Sequence, residues 1–228
     1  RLEPRGSFKA EDLDRASAQK ITELDPEYTQ VVDLTKTEDE LRSGLNSGHR
    51  NRINGADKRG LRVDITTSAE DFDSFLAMLK DTAKRAKVSF YPSQYYKDIF
   101  KIMEPRGAAK LYIAKVDGEP IAASLFYDYN GTRYYSHSGA FQDLNRKYNA
   151  TVYLLWRAML DAKQLGLSQI DLWGIAPDDN PKHKWAGITA FKKGYGGNSV
   201  KFMGTFDIAL NTTKYKIYRT MNKLRGRS

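Results

Sequence analysis

Two short dipeptides, Asp117-Gly118 and Asn130-Gly131, constrain the fold of this chain more than any other feature of its sequence. Each lies between apolar runs, and such a pair is the strongest short-range signal for a β-hairpin, because both turn residues need positive φ. We therefore expect strands at residues 110–116, 120–129 and 132–138, joined as a three-stranded antiparallel meander.

Helical and strand patterns alternate on both sides of this meander. The sequences Thr37-Glu-Asp-Glu40 and Ser68-Ala-Glu-Asp71 are typical of helix starts, because the first side chain can cap the third backbone amide. We expect helices at 37–45, 69–86, 92–103, 150–165 and 213–225 from the spacing of apolar residues, a short polar helix at 10–22 and a basic helix at 49–59. In the last helix, Ile217, Met221 and Leu224 are expected to face inward. Apolar spacing predicts further strands at 28–34, 61–66, 168–173 and 199–206.

The order of elements from residue 61 onwards resembles that of the GNAT acyltransferase fold. This α/β (α+β) fold has a mixed, mostly antiparallel sheet flanked by helices, and the sheet splays between its fourth and fifth strands. Here those strands would be 132–138 and 168–173. Since one fold hosts many activities, the order of elements alone does not give the function.

Composition excludes several classes of protein. No apolar run of the 228 residues approaches the ~20 residues of a membrane span, and mean hydropathy is −0.63. Without cysteine there is no disulfide and no thiolate metal site, and the three histidines lack metal-ligand spacing. No signal peptide and no cofactor motif are visible, so we expect a cytoplasmic protein with neither metal nor cofactor.

A formal charge of +9 favours an anionic partner. Six Lys and Arg residues and one acid lie between Arg42 and Arg62, and six Lys and Arg residues without an acid follow Asn211. Because phosphate contacts release counterions, both segments predict sequence-independent affinity for RNA. The charge also has a plainer interpretation, which is solubility.

A glycine-rich turn follows the last predicted buried strand. Gly194, Gly196 and Gly197 indicate a backbone that turns sharply or is approached closely. Phe191 and Lys192 come just before this turn. Lysine followed by glycine is also what an ordinary helix end looks like, so the motif alone leaves both interpretations open.

Four segments in order resemble the Fem family of tRNA-dependent peptidoglycan aminoacyltransferases. Together they span nearly the whole chain. They are Val32-Asp33-Leu34 with the basic stretch 50–60, Ser138-Gly139-Ala140, Asp171-Leu172-Trp173-Gly174, and 187–207 with its Phe-Lys-x-Gly-Tyr-Gly-Gly sequence.

The resemblance implies transfer of an amino acid from aminoacyl-tRNA to an amine of a peptidoglycan stem peptide. It places Phe191 and Lys192 in the acyl-transfer channel, where the lysine would stabilise the oxyanion. The acceptor would be a UDP-linked or a lipid-linked precursor, the latter at a membrane surface. The precursor-binding residues that the resemblance implies are Arg85, Lys87, Tyr91 and Tyr135. Lys87 departs from the family pattern, which commonly has arginine at this position, because lysine lacks the guanidinium that can bind a phosphate through two hydrogen bonds.

The family is built of two GNAT-like domains, and its last helix returns to the first. By this resemblance, residues 61–208 form the second domain. Residues 1–60 and 209–228 would be the remainder of the first domain, whose N-terminal part is missing. Strand 28–34 and helix 213–225 should then lie together, away from the meander. No segment is long enough for the helical arm of some members.

Two rival functions remain open. A CoA-dependent N-acyltransferase would bind pyrophosphate on backbone amides at the start of helix 150–165. Asn149 and Thr151 stand there where small residues are usual, which disfavours CoA. A non-enzymatic RNA-binding module is the second rival, supported by the charge and the 14 tyrosines, although no RNA-binding motif is present.

Overall fold

The computed structural model describes residues 1–4, 9–21, 26–178 and 180–224 of the chain. Its helices are α1 (Ala10–Arg15), α2 (Glu38–Gly44), α3 (Ser47–Asn54), α4 (Ala69–Ala86), α5 (Ser93–Met103), α6 (Gln142–Tyr148), α7 (Ala150–Gln164), α8 (Ala186–Lys193) and α9 (Thr212–Leu224). Its strands are β1 (Gln19–Lys20), β2 (Tyr28–Asp33), β3 (Leu61–Thr66), β4 (Ala109–Val116), β5 (Glu119–Tyr129), β6 (Thr132–Ala140), β7 (Gln169–Gly174), β8 (Asn198–Lys201) and β9 (Phe206–Asp207).

The predicted meander is confirmed as β4, β5 and β6, which pair antiparallel in sequence order. Asp117 and Asn130 have φ of 50° and 47°, and the glycines after them have φ of 84° and 73°. Both turns therefore have two consecutive residues of positive φ, as a two-residue hairpin turn with the twist of the strands requires.

The meander belongs to a seven-stranded sheet of order β3-β4-β5-β6-β7-β2-β8. All neighbours run antiparallel except β6 and β7. The parallel pair ends at Tyr134 and Asp171, although β6 continues to Ala140 and β7 to Gly174. The expected splay between the fourth and fifth strands is therefore present, and the mixed, mostly antiparallel α/β fold is confirmed.

The expected position of strand 28–34 is wrong. β2 does not lie away from the meander but pairs with β7 and β8 in the same sheet. Alternating β-branched residues indicate a strand but do not specify its neighbours, which contacts distant in sequence decide. The division of the chain at residue 61 stays a prediction, but residues 28–33 are not part of a separate sheet.

The two faces of the sheet pack against different helices. On one face, Leu154, Leu155 and Trp156 of α7 belong to the larger hydrophobic cluster. On the other face, α4 and α5 form a second cluster with the strands, for example through Phe75 and Tyr96. Each helix carries an apolar stripe at helical spacing, so burial of that stripe against the sheet fixes its position.

A buried arginine ties the meander to α7. Arg133 has no exposed surface, and it donates two hydrogen bonds to the carboxylate of Asp128, 2.8 and 2.6 Å long. Its other nitrogen donates to Asp161, to the Tyr112 hydroxyl and to the Ala158 carbonyl, at 2.8, 2.6 and 2.8 Å. A buried cation is tolerated because its donors are paired in this way.

Three further expectations need correction, and one helix was not predicted. Helix 10–22 ends at Arg15, and Gln19–Lys20 forms β1, which pairs with β9; residue 22 lies outside the described residues. Strand 199–206 breaks into β8 and β9. Residues 142–148 form a helix that was not expected. Ile217, Met221 and Leu224 of α9 were expected to face inward but are 57, 46 and 83% exposed, because helical spacing defines a face without supplying its partner.

Candidate active site

The glycine-rich turn after α8 packs against the chain's own backbone. Gly196 and Gly197 both have φ of 77°. A Cβ at Gly196 would lie 2.8 Å from the Gly44 carbonyl oxygen, and one at Gly197 would overlap the carbonyl oxygen of Val31. The predicted sharp turn and close approach are therefore both confirmed, and what approaches is α2 and β2. This contact fixes the C-terminal end of α8 against the sheet.

Lys192, at the end of α8, is buried, with 7% of its surface exposed. Its Nζ donates a 2.7 Å hydrogen bond to the carbonyl oxygen of Gly174, the last residue of β7. Burial lowers the pKa of Lys192 from 10.5 to about 8, whereas the nearby Asp171 carboxylate acts to raise this pKa. A buried lysine that donates to the end of β7, beside the splay, is therefore the central feature of this region.

Asp171, a second buried charge, lies where β6 and β7 separate. Its Oδ1 accepts hydrogen bonds from the Thr29 hydroxyl and, at 2.8 Å, from the Trp173 amide. Trp173 has φ of 66°, an uncommon conformation for a large side chain, and its ring lies edge-on to Tyr134. The end of β7 therefore bends at the point where Gly174 presents its carbonyl to Lys192.

Phe191 lies on a different side of α8 from the Lys192 ammonium contact. Its half-buried ring packs against the larger cluster and contacts the rings of His49 and Tyr195, with centroids 5.6 and 5.5 Å away. The structure thus holds Phe191 by aromatic packing and Lys192 by the β7 carbonyl.

Three predicted precursor-binding residues, Arg85, Lys87 and Tyr91, lie at the end of α4 and in the segment before α5, where Arg85 and Tyr91 line two different cavities. Arg85 bonds to Asp81, Thr82, Gln142 and the Ala140 carbonyl, and so ties α4 to β6 and α6. Lys87 is exposed at the end of α4, with φ of 53°.

Tyr91 is 60% exposed and stacks on Tyr95 at 4.2 Å. It lines a cavity of about 380 Å³, which we call the aromatic groove, with Leu76, Lys80, Ala83, Phe90 and Tyr96.

Tyr135 does not line the aromatic groove. It is buried in the larger cluster on the α7 side, where its ring contacts Phe126, and burial raises the pKa of its hydroxyl. Tyr96 of the groove belongs instead to the second cluster, on the other face of the sheet. The structure therefore separates the predicted binding residues into two groups.

Thr151, at the start of α7, is already hydrogen-bonded to a side chain of α6. Asn149 has φ of 56° and separates α6 from α7. The Oδ1 atom of Asn145 accepts hydrogen bonds from the Thr151 amide at 2.9 Å and from its hydroxyl at 3.0 Å. One of the amides that a pyrophosphate would need at this helix end is thus occupied by a side chain of α6.

Sequence reasoning missed His49, which is 3% exposed. Its Nε2 lies 3.1 Å from the Phe191 carbonyl oxygen, across 142 residues of sequence. No local pattern marks such a residue, because its partner lies in a distant segment. Across residues 1–4, 9–21, 26–178 and 180–224, no group of three or more His, Asp or Glu side chains is arranged to hold a metal ion.

These features define the class of protein. A mixed sheet that splays beside a parallel strand pair, with a helix after each of these strands, is the GNAT-like acyltransferase fold. Residues 46–192 match the family model described as the acetyltransferase (GNAT) domain. The chain belongs to this family.

Similar proteins narrow the relationship further. The chain is 28% identical to the aminoacyltransferase FemA of Staphylococcus epidermidis over 106 residues, 46% of this chain and 25% of FemA. It is 19% identical to the lipid II:glycine glycyltransferase of Staphylococcus aureus strain USA300 over 259 residues, 85% of this chain and 61% of that protein. Fem aminoacyltransferases and lipid II:glycine glycyltransferases are thus homologues of this chain, which spans a quarter to three-fifths of their length.

The crystal structure of FemX has the same fold. It superposes with a TM-score of 0.82 and 17% sequence identity, and the match covers 91% of this chain and 69% of FemX. Among the described residues, no helix is long and apolar enough to cross a membrane.

Proposed function

We propose that this protein transfers an amino acid from aminoacyl-tRNA to an amine of a peptidoglycan precursor stem peptide in the cytoplasm. The buried Lys192 ammonium beside the splayed strands is the observation that carries the proposal. The homology to FemA and to the glycyltransferases supports it at the level of the reaction class.

The reaction develops negative charge where Lys192 could stabilise it. When the acceptor amine attacks the ester carbonyl of aminoacyl-tRNA, the carbonyl oxygen becomes an oxyanion. A preorganised cation in a dry site stabilises this charge more strongly than one in water. An ammonium has three N–H donors, and within the described part of the chain Lys192 uses one, on Gly174. As the tetrahedral intermediate collapses, the bond from the carbonyl carbon to the tRNA 3′ oxygen breaks, a proton of the attacking nitrogen passes to that oxygen, and an amide remains.

The basic helix α3 adjoins this site and suits a polyanionic substrate. Arg50 and Arg52 lie on α3, and the amide of Asn46, at its N-cap, donates to the Gly194 carbonyl just after α8. Phosphate contacts on α3 would therefore bring the acceptor end of tRNA towards Lys192. On this proposal the precursor occupies the aromatic groove, with Lys87 and Tyr91 at its phosphates.

CoA-dependent acyl transfer is the rival enzyme function. The hydrogen bond from the Thr151 amide to Asn145 occupies a donor that the CoA pyrophosphate would need. A purely RNA-binding module would have no use for a lysine that is only 7% exposed, because a solvated phosphate backbone makes its contacts with cations at the protein surface. Both rivals are therefore less well supported than aminoacyl transfer.

The test uses the full-length protein with charged tRNA and either the UDP-linked or the lipid-linked precursor. Lys192→Met keeps the aliphatic stem and removes the ammonium. We expect the single-turnover transfer rate to fall by a factor of roughly a hundred or more, with tRNA affinity nearly unchanged. Lys193→Met is the matched control, because Lys193 lines a different surface cavity, beside Asp178 and Ala190. An unchanged rate in Lys192→Met, or equal losses in both variants, would refute the catalytic assignment.

A further inference from the structure

The C-terminal end of α8 has one carbonyl that a side chain satisfies. Beyond the helix, the amides of Gly194, Tyr195 and Gly196 donate to Ala190, Lys192 and Lys193. None of these three amides donates to the carbonyl of Phe191. That carbonyl oxygen instead accepts a hydrogen bond from Nε2 of His49, 3.1 Å away. Terminal carbonyls of a helix need such partners, and histidine near a C-terminus is a suitable donor.

The environment of His49 fixes its proton. A carbonyl oxygen only accepts, so Nε2 carries the hydrogen and Nδ1 has a lone pair. Nδ1 is buried and has no hydrogen-bond partner among the described residues. Burial first, and then the charge of Arg52, lower the pKa of His49, so the imidazole stays neutral at physiological pH. His49 therefore acts as a fixed donor here rather than as a proton carrier.

The ring of His49 is also held firmly in place. It lies edge-on to Tyr195 with centroids 4.6 Å apart, and a Cβ at Gly194 would lie 2.6 Å from its Cε1. The backbone amide of His49 donates to the Asn46 side chain at 2.7 Å, which caps α3. The first turn of α3 thus contacts the end of α8 through both Asn46 and His49.

We propose that His49 is a positioning residue for Lys192. The carbonyl that it holds belongs to the peptide unit joining Phe191 to Lys192, so its hydrogen bond fixes the backbone from which the lysine projects. Freed from it, the last turn of α8 can move, and the ammonium loses its place against the Gly174 carbonyl. Misplacement of a reacting group by about 1 Å can cost up to a hundredfold in rate. The measurement of the transfer rate rests on the proposed function, whereas the measurement of the Lys192 pKa does not.

Two variants separate the hydrogen bond from the packing. His49→Phe keeps an aromatic ring and removes the donor, and His49→Gln restores an N–H at similar reach. Titration of isotope-labelled lysine side chains by NMR reports the pKa of Lys192 without any assay of transfer. We expect it to rise towards 10.5 in His49→Phe, because the ammonium becomes hydrated, and to stay near the wild-type value in His49→Gln.

The transfer rate supplies the second measurement. We expect a loss of about tenfold in His49→Phe at unchanged affinity for aminoacyl-tRNA, and of no more than about threefold in His49→Gln. An unchanged Lys192 pKa in His49→Phe, or equal shifts in both variants, would overturn the positioning role. If the wild-type protein has no transfer activity but the pKa moves in His49→Phe alone, the proposed function fails and the positioning role stands.

Discussion

The buried lysine should reveal itself in the pH dependence of stability. A pKa lowered from 10.5 to about 8 means that the folded state disfavours the charged form by about 3 kcal/mol, at about 1.36 kcal/mol for each pH unit. Below pH 8 the folded protein bears this whole cost. Between pH 8 and 10.5 the unfolded chain binds more protons at this group than the folded protein does, so the free energy of unfolding rises with pH.

The variant Lys192→Met removes this group and isolates its contribution. We expect the free energy of unfolding of the wild type, minus that of the variant, to increase by about 3 kcal/mol from pH 7 to 10.5. Subtraction cancels the other groups that titrate in both proteins, including the tyrosines. Urea unfolding followed by circular dichroism at pH 7, 8.5 and 10.5 measures the difference. Substitution also leaves the Gly174 carbonyl without its donor, which adds an offset of about 1–3 kcal/mol that does not vary with pH.

A flat difference across this range would refute the reasoning, because it would mean that the ammonium is hydrated in the folded protein. A difference that falls as pH rises would refute it too, since a raised folded-state pKa gives that sign. Either result would also weaken the catalytic proposal, which depends on a dry site.

Three further substitutions test the packing and the Arg133 ion pairs. Gly139→Ala should lower the free energy of unfolding by about 1–3 kcal/mol, because the new Cβ would lie 2.6 Å from the backbone nitrogen of Leu79 in α4. Gly187→Ala is its control in the same urea titration and should be neutral or stabilising, because there is open space around its Cβ. Arg133→Met should cost about 3 kcal/mol, since it leaves two partly buried carboxylates without their cation, and equal stability to wild type would show that the cluster is hydrated.

Local signals in the sequence were sufficient for most of the fold. The limits of α4 and α7 follow from caps and apolar spacing, and the turns at Asp117 and Asn130 follow from the need for positive φ. Such features depend on neighbours within a few residues, so a single sequence contains them. The Thr37–Glu40 capping box, which the structure shows with both reciprocal hydrogen bonds, is of the same kind.

Pairings between distant segments could not be predicted in this way. The strand pattern of β2 gave no sign that it would lie between β7 and β8. The contact of His49 with Phe191 and the burial of Tyr135 on the face away from Tyr96 have the same cause. For the candidate site, the sequence and the family resemblance indicated which residues to consider, but not which of them lie together.

The way in which α8 is held supports the proposed role of Lys192 over simple helix termination. If Lys192 merely ended a helix, an exposed ammonium would be more favourable, because it would avoid the free energy of desolvation. Here β2 and α2 press on the glycines after the helix, α3 bonds to Phe191, and β7 receives the ammonium. Four separate elements therefore hold a charge in a place that burial disfavours. Such an arrangement is expected where a preorganised group serves a reaction at the expense of stability.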